Sequence, residues 1–373
     1  MQRSLVGSEM CIRDRFYICL IAATFVLATI TIMAAFSGNV APVDSVIMPL
    51  LGLAVPVLLI VNLITALCWA LARKRWALVP LVAFFCNWGY LTSVFQLHLP
   101  KDKTPAGKYL KIATYNIHNF GGEITGYSCK EIARYMQQEG VDVLCFQEFG
   151  DNSDFPTDSI RRVLSHWSHA LIPSEDSVKG VLPIAVFSRY PLANHRFITY
   201  QHSSNCSMMC DVVMGTDTIR LINNHLQTTS VSQKRRKWER ELATDDTRRE
   251  VQAAKDAAGT LHENFMKRAT QTYVISHYAK TSPYPVLLCG DFNSIPSSYT
   301  YHHLRKTLKD GFRTAGNGYM YTYRYAKRML RIDYIFHSPS LKGIEYYSPD
   351  LDLCSDHNPV IMAVSYTHLR AHE

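Results

Sequence analysis

An α+β domain carried behind three membrane-spanning helices is the architecture this sequence predicts, and three observations predict it. Charge is nearly missing from the first quarter: between Phe16 and Pro100 only Asp44, Arg73, Lys74 and Arg75 carry one. After Lys101, short apolar β-branched runs alternate with helical stretches, the pattern of an α/β or layered α+β domain. Many of those runs end in acids, amides or histidines, at the strand exits where layered sheets gather their ligands.

The 373 residues leave room for about two domains of roughly 100–200 residues. A hydrophobic share of 47% excludes a disordered chain. A net charge of +8 attracts polyanions without naming one. Residues 1–15 (MQRSLVGSEMCIRDR) and 365–373 (SYTHLRAHE) resemble translated sequencing-adaptor scars and are set aside as non-native.

Residues 16–100 hold the three expected spans, Phe16–Phe36, Val46–Ala72 and Trp76–Leu97, each near one bilayer thickness. Asn62, Asn87 and Gln96 are tolerable there, because a lone amide can bond a neighbouring helix. Arg73, Lys74 and Arg75 fill the loop between spans two and three, whereas Ser37–Ser45 has no Lys or Arg. That asymmetry puts the first of these loops in the cytoplasm and the domain after Leu97 outside. Lys101, Lys103, Lys108 and Lys111 on the outer side oppose this orientation.

Residues 101–364 form the expected soluble domain. Its strand-like runs are Leu110–Tyr115, Val141–Gln147, Ile184–Ser188, Asp211–Met214, Ile219–Asn224, Val286–Cys289, Ile332–Phe336 and Val360–Val364, and Cys129–Glu139 and Ser159–Leu164 read as helices. The charged, Ala-rich, Pro-free stretch 231–279 is expected as one or two inserted helices. Within it Lys234–Lys237 is the densest basic run, and the acids that follow make a solvated helix face the simpler account. Cys145 and Cys289 read as small buried hydrophobes. Cys206 and Cys210 are either a disulfide or a chance pair. No interleaved aromatic and basic pattern is recognised as a mark of single-strand binding.

Six strand exits carry chemistry: Asn116; Gln147 with Glu148; Asn224 with His225; Asp291 with Asn293; Asp333; and Asp356 with His357. Singly, each has a bland account. Glu148 could cap a helix or turn, Asn116 and Asn293 could make Asx turns, and His225 could be a satisfied buried histidine. Together they supply hard oxygens, amides and imidazoles, the means to hold a divalent cation and a phosphate. Mg²⁺ needs only one or two carboxylates and keeps its waters. The clustered ligands of a zinc site, a Gly-rich phosphate loop and a GxSxG elbow are all missing from the sequence.

In this order the segments resemble the endonuclease/exonuclease/phosphatase superfamily: Asn116, Gln147-Glu148, Ser188-Arg189-Tyr190-Pro191, Asn224-His225-Leu226, Gly290-Asp291-Phe292-Asn293, Arg331-Ile332-Asp333-Tyr334 and Ser355-Asp356-His357-Asn358-Pro359. The resemblance covers Tyr109–Val364. It implies a four-layer α/β/β/α sandwich of two mainly antiparallel sheets, and a Mg²⁺- or Mn²⁺-dependent hydrolysis of a phosphate ester. It also implies roles. Glu148 would ligate the metal with Asn116 and Asp356. Asp291 would orient or deprotonate the attacking water. Asn293 and His225 would hold phosphate oxygens, with His225 a candidate acid at the leaving oxygen. Asp333 would fix the ring and charge of His357, which stabilises the transition state. Phe149, where many members have a small or polar residue, and the stretch 231–279 depart from the pattern.

The function expected is a membrane-anchored phosphodiesterase or phosphatase, nuclease-like, with its catalytic domain outside the cytoplasm. Its substrate would be nucleic acid, a phospholipid or an inositol phosphate. The competing class is a catalytically silent module that uses the cleft to bind a phosphorylated ligand. Retention of both Asp291 and His357 favours the enzyme, since a silent cleft needs neither.

Overall fold

The structure is a computed structural model that describes residues 2–98, 108–173, 180–229 and 247–366, and their side chains except those of 2–13 and 247–250. Lys101, Lys103 and the basic run Lys234–Lys237 lie outside the described residues. The chain divides into two units, Met1–Thr92 with Ser297–Tyr299, and Ser93–Pro296 with Thr300–Glu373.

The first unit is helical: α1 (Gln2–Ala35), α2 (Ile47–Leu71) and α3 (Leu78–Cys86), followed by α4 (Trp88–Val94). Two stretches are long and apolar enough to cross a membrane, Asp14–Asn39 and Ile47–Leu71, with mean hydropathy 2.4 and 2.5. The third expected span is corrected. It is a pair of short helices bent by 62° at Asn87, and counts as a span only if the bent pair is taken as one. Asn87 leaves helical geometry there, and its amide nitrogen donates to the carbonyls of Thr31 and Ala83, both at 3.1 Å. Polar side chains tie the helices together where apolar surface alone gives little preference. Asn62 donates to Thr31 Oγ1 at 2.7 Å, and Trp69 to Thr24 Oγ1 at 2.9 Å. α1 runs through the segment set aside as non-native.

Among its described residues the second unit has fourteen strands: β1 (Phe95–Gln96), β2 (Tyr109–Asn116), β3 (Val143–Gln147), β4 (His169–Leu171), β5 (Ile184–Ser188), β6 (Leu192–Thr199), β7 (Cys206–Met214), β8 (Asp217–His225), β9 (Val286–Asp291), β10 (Lys309–Asp310), β11 (Gly318–Tyr319), β12 (Asp333–His337), β13 (Lys342–Tyr347) and β14 (Val360–Ser365). β1 pairs with β11; the others make two six-stranded sheets, ordered β13-β14-β2-β3-β5-β4 and β10-β12-β9-β8-β7-β6. Each sheet is antiparallel except for one pair, β2 with β3 and β8 with β9. A parallel pair needs a crossover of a dozen or more residues. The helix α5 (Tyr127–Gln138) lies in the first crossover and the long helix after β8, Thr247–Lys280, in the second. Thr247–Lys280, which holds the described part of the stretch expected as an insertion, supplies a connection that the sheet requires; residues 231–246 lie outside the described residues.

Three apolar clusters fill the layers. Ile112, Cys145, Val186, Cys210, Leu221, Cys289 and Ile335 belong to the layer between the sheets. The opposite face of the first sheet packs Leu144 and Phe146 against Ile132 and Met136 of α5. That of the second packs Ile222 and Leu288 against Ile275 of the long helix. This is the four-layer sandwich expected, and strand alternation produces it, because successive side chains serve opposite faces. Cys206 and Cys210 lie buried on one face of β7 as free thiols. Phe149 stacks on Phe146 and contacts Phe120 and Phe187 in the α5 layer, so it packs core instead of facing a substrate.

Candidate active site

Strand pairing brings the predicted residues together before any side chain is considered. Asn116 is registered with Gln147 across the parallel β2–β3 pair, so Glu148 emerges beside it. His225 is registered with Asp291 across β8–β9, and Asp291 with Asp333 across β9–β12. Two of the motif residues serve this close assembly. Gly290 has φ +131, and a Cβ there would sit 1.9 Å from the carbonyl oxygen of Asn224 on the neighbouring strand; only glycine permits that approach. Ser355 donates to the Asn116 carbonyl at 2.5 Å and accepts from the His357 amide at 3.0 Å, which ties the last loop to the exit of β2.

Both sheets contribute to one polar cluster. Asn116 Nδ2 donates to Glu148 Oε1 at 3.1 Å and to Asp291 Oδ2 at 3.2 Å. His225 Nε2 lies 3.7 Å from the same two carboxylate oxygens. The Asn293 amide donates to Asp291 Oδ1 at 2.8 Å, and its side chain donates to the Leu226 carbonyl at 3.0 Å. His357 Nδ1 donates to Asp333 Oδ2 at 2.9 Å, and its Nε2 is 3.8 Å from Asp291 Oδ2 and 3.9 Å from Asp356 Oδ1. Glu148 and Asn293 both sit at φ 48, a left-handed conformation that costs of order 1 kcal/mol and persists where the surroundings impose it.

Burial separates the two histidines. It drives the His225 ring down to about 4, against the pull of Glu148, so that ring is neutral at pH 7. Burial also disfavours the His357 cation, but Asp333 and then Asp291 outweigh it and raise the ring to about 10. A neutral His225 can donate an N–H bond to a phosphate oxygen but has no ready proton for a leaving group. Asp291 is pushed up by burial first and by the charge of Asp333 second. For Glu148, burial is outweighed by His225, the Asn116 hydrogen bond and His118, and the carboxyl stays below its usual range.

The donor set fits a hard divalent cation. Among the described residues, four carboxylates converge with few cations to offset them, and both ring nitrogens of buried His225 lack a hydrogen-bond partner. Among the described residues, the group whose ligand atoms all lie within 4.8 Å is Asp291, Asp333 and His357, which differs from the expected Asn116, Glu148 and Asp356. Asp333 and His357 are already committed to each other, whereas Glu148 keeps 19% of its side chain open.

Residues 113–357 match the family model described as the Endonuclease/Exonuclease/phosphatase family. The chain belongs to this family. Membership of the endonuclease/exonuclease/phosphatase family accounts for the coarse chemistry, that of a metal-dependent phosphoesterase, and two solved structures share the fold. Truncated TDP2 from Caenorhabditis elegans is 16% identical with TM-score 0.50, over 69% of this chain and 98% of that one. The endonuclease/exonuclease/phosphatase from Beutenbergia cavernae is 17% identical with TM-score 0.50, over 69% and 71%. Residues 16–94 match a second family model, a domain of unknown function. No curated protein sequence matches the chain.

Several motif residues work away from the cluster. Ser188 pairs with Val143 at the opposite end of β3, and Arg189 bonds Asp142 there at 2.9 Å. Arg331 is fully buried and grips Asp310 at 2.6 and 2.7 Å. Other neighbours escaped the sequence reading. Thr322 Oγ1 accepts from the amides of Ile332 and Asp333, both at 3.0 Å. Tyr323 packs edge-on to His357 at 5.3 Å, and His118 Nδ1 lies 3.3 Å from Glu148 Oε2. Tyr319, Tyr321, Tyr323 and Tyr325 alternate toward solvent beside Arg324, Lys327 and Arg328, an aromatic and basic interleaving passed over in the sequence. Arg324 and Arg328 are largely spent on Asp350 and Asp352.

Proposed function

We propose that this protein is a membrane-anchored, divalent-metal-dependent phosphoesterase that cleaves a phosphodiester or phosphomonoester by attack of water. The observation that carries the proposal is the convergence of Glu148, Asn116, His225, Asp291, Asn293, Asp333 and His357 from both sheets onto one cluster. A silent binding module has no use for an Asp–His pair with its ring held charged beside a second buried acid.

Each group has a task in such a reaction. Glu148, Asn116 and Asp356 would hold Mg²⁺ or Mn²⁺, which when bound supplies Lewis-acid polarisation of a phosphoryl oxygen. Asp291, held by the Asn116 amide and the Asn293 backbone, is placed to orient water and take its proton; a base works best with its pKa near the working pH. Asn293 and neutral His225 donate to phosphate oxygens. His357, kept cationic by Asp333, faces the charge that grows on those oxygens during in-line attack. Fixed donors and charges of this kind are most effective in a buried site.

Anchoring rests on the apolar helices α1 and α2; with the bent pair α3 and α4 as a third span, the loop charges favour an extracytoplasmic domain. Nucleic acid and phospholipid head groups are the substrates favoured, the first by the net charge of +8 and the second by the anchor. The full chain in detergent should hydrolyse at least one of DNA, phospholipid or inositol phosphate with Mg²⁺, and the substrate hydrolysed names the class. Stoichiometric binding of phosphorylated ligands without turnover on any of them would favour the silent module.

A further inference from the structure

We propose that the crossover helix is part of the catalytic apparatus, with Arg268 and Gln271 as positioning residues for His225 and Asn293. The inference rests on the phosphoesterase reading of the site. The helix, α6 (Thr247–Lys280), follows β8 in the chain and returns along the outer face of its sheet.

The segment just after His225 is held from two sides. Toward the site, the Leu226 amide donates to the Asp291 carbonyl at 2.9 Å, and the Leu226 carbonyl accepts from Asn293 Nδ2 at 3.0 Å. Toward the helix, Gln271 Oε1 accepts from the Gln227 amide at 2.8 Å, and Arg268 Nη1 donates to the Gln227 carbonyl at 2.7 Å. Asn264 Nδ2 donates to the Thr229 carbonyl at 3.1 Å. Asn264, Arg268 and Gln271 stand at i, i+4 and i+7, so one face of the helix presents all three. Ser203 closes the arrangement: its hydroxyl donates to Gln227 Oε1 at 2.8 Å and accepts from Gln271 Nε2 at 3.2 Å.

Both polar groups of the Gln227 backbone are therefore bonded by this one helix, next in the chain to the carbonyl that aligns Asn293. A shift of Gln227 moves Leu226, and with it the separation of His225 and Asn293 from Asp291. Arg268 is also a buried cation, 2% exposed, whose single hydrogen bond among the described residues goes to this loop. Its guanidinium also lies over the Phe265 ring, 5.0 Å from the centroid.

The test compares the full chain with Arg268→Met, Arg268→Lys and Gln271→Ala, by steady-state kinetics and by hydrogen exchange of the peptide covering residues 221–229. Arg268→Met should lower kcat about 10- to 100-fold, the scale of one lost hydrogen bond from a charged donor, with KM changed far less. Arg268→Lys should recover much of the loss. Exchange at Leu226 and Gln227 should quicken in Arg268→Met and Gln271→Ala, while that of β14 stays as in the wild type. Unchanged exchange at Leu226 and Gln227 overturns the clamp. Quickened exchange with unchanged kcat and KM overturns the positioning role. A wild type inactive on every phosphate ester would instead refute the phosphoesterase reading, and the exchange comparison would still decide the clamp.

Discussion

Removing the charge of Asp333 should switch His357 from cation to neutral ring. The two groups meet at 2.9 Å, with His357 6% and Asp333 1% exposed. Two unit charges about 4 Å apart at an effective dielectric of about 20 attract by about 4 kcal/mol, or about a thousandfold in a protonation equilibrium. That is the scale needed to raise the ring to about 10 against burial. Asp333→Asn keeps the size and a hydrogen-bonding oxygen but removes this attraction, leaving burial opposed by Asp291 and Asp356 alone, so the ring titrates at much lower pH. The wild type should keep the alkaline limb of its kcat profile near pH 10, whereas Asp333→Asn should lose activity at much lower pH. At pH 8 its kcat should fall about 10²–10⁴-fold, the usual contribution of a positioned acid–base group. His357→Ala should resemble it, and the double variant should lose little more, because the pair acts as a unit. The sign for stability is the same. The folded ring titrates above its unfolded value of 6.5, so the pair stabilises fully below that pH and progressively less as pH rises toward 10. Kinetics against pH, with imidazole titration by NMR, reads both effects. A wild-type ring titrating near 6.5, or multiplicative kcat losses in the double variant, would refute the pairing.

Three further outcomes are expected. Glu148→Gln should weaken Mg²⁺ binding at least 10- to 100-fold, the scale seen even for outer-shell partners, with an unchanged melting temperature; full activity in excess EDTA would refute the metal assignment. Asp310→Asn should cost about 3–5 kcal/mol in chemical denaturation, because it strands the buried Arg331 cation, while kcat of the folded fraction stays near wild type. Protease added to intact cells or spheroplasts should reach the domain after Leu97; cleavage only after lysis would refute the extracytoplasmic placement, which needs both the orientation drawn from Arg73, Lys74 and Arg75 and a crossing by the bent pair.

Much of this molecule was legible in its sequence, for identifiable reasons. Apolar runs of bilayer length need no partner to be recognised, so α1 and α2 could be read directly. Strand alternation and the polar residues at strand exits are local patterns, and they located Asn116, Glu148, His225, Asp291, Asn293, Asp333 and His357. What each residue does depends on distances that no local pattern contains. The two histidines have the same intrinsic chemistry, and only tertiary structure sets their charges apart: Asp333 and Asp291 outweigh burial at His357, whereas burial outweighs Glu148 at His225. Arg331 stands two residues before Asp333 yet bonds Asp310 in the core, because it precedes β12, where strand alternation does not yet set side-chain direction. The break at Asn87 follows from a side-chain bond to another helix, invisible in a hydropathy profile. Sequence cannot show that β8 and β9 run parallel; once they do, a crossover is obligatory, and the helix Thr247–Lys280 lies in it.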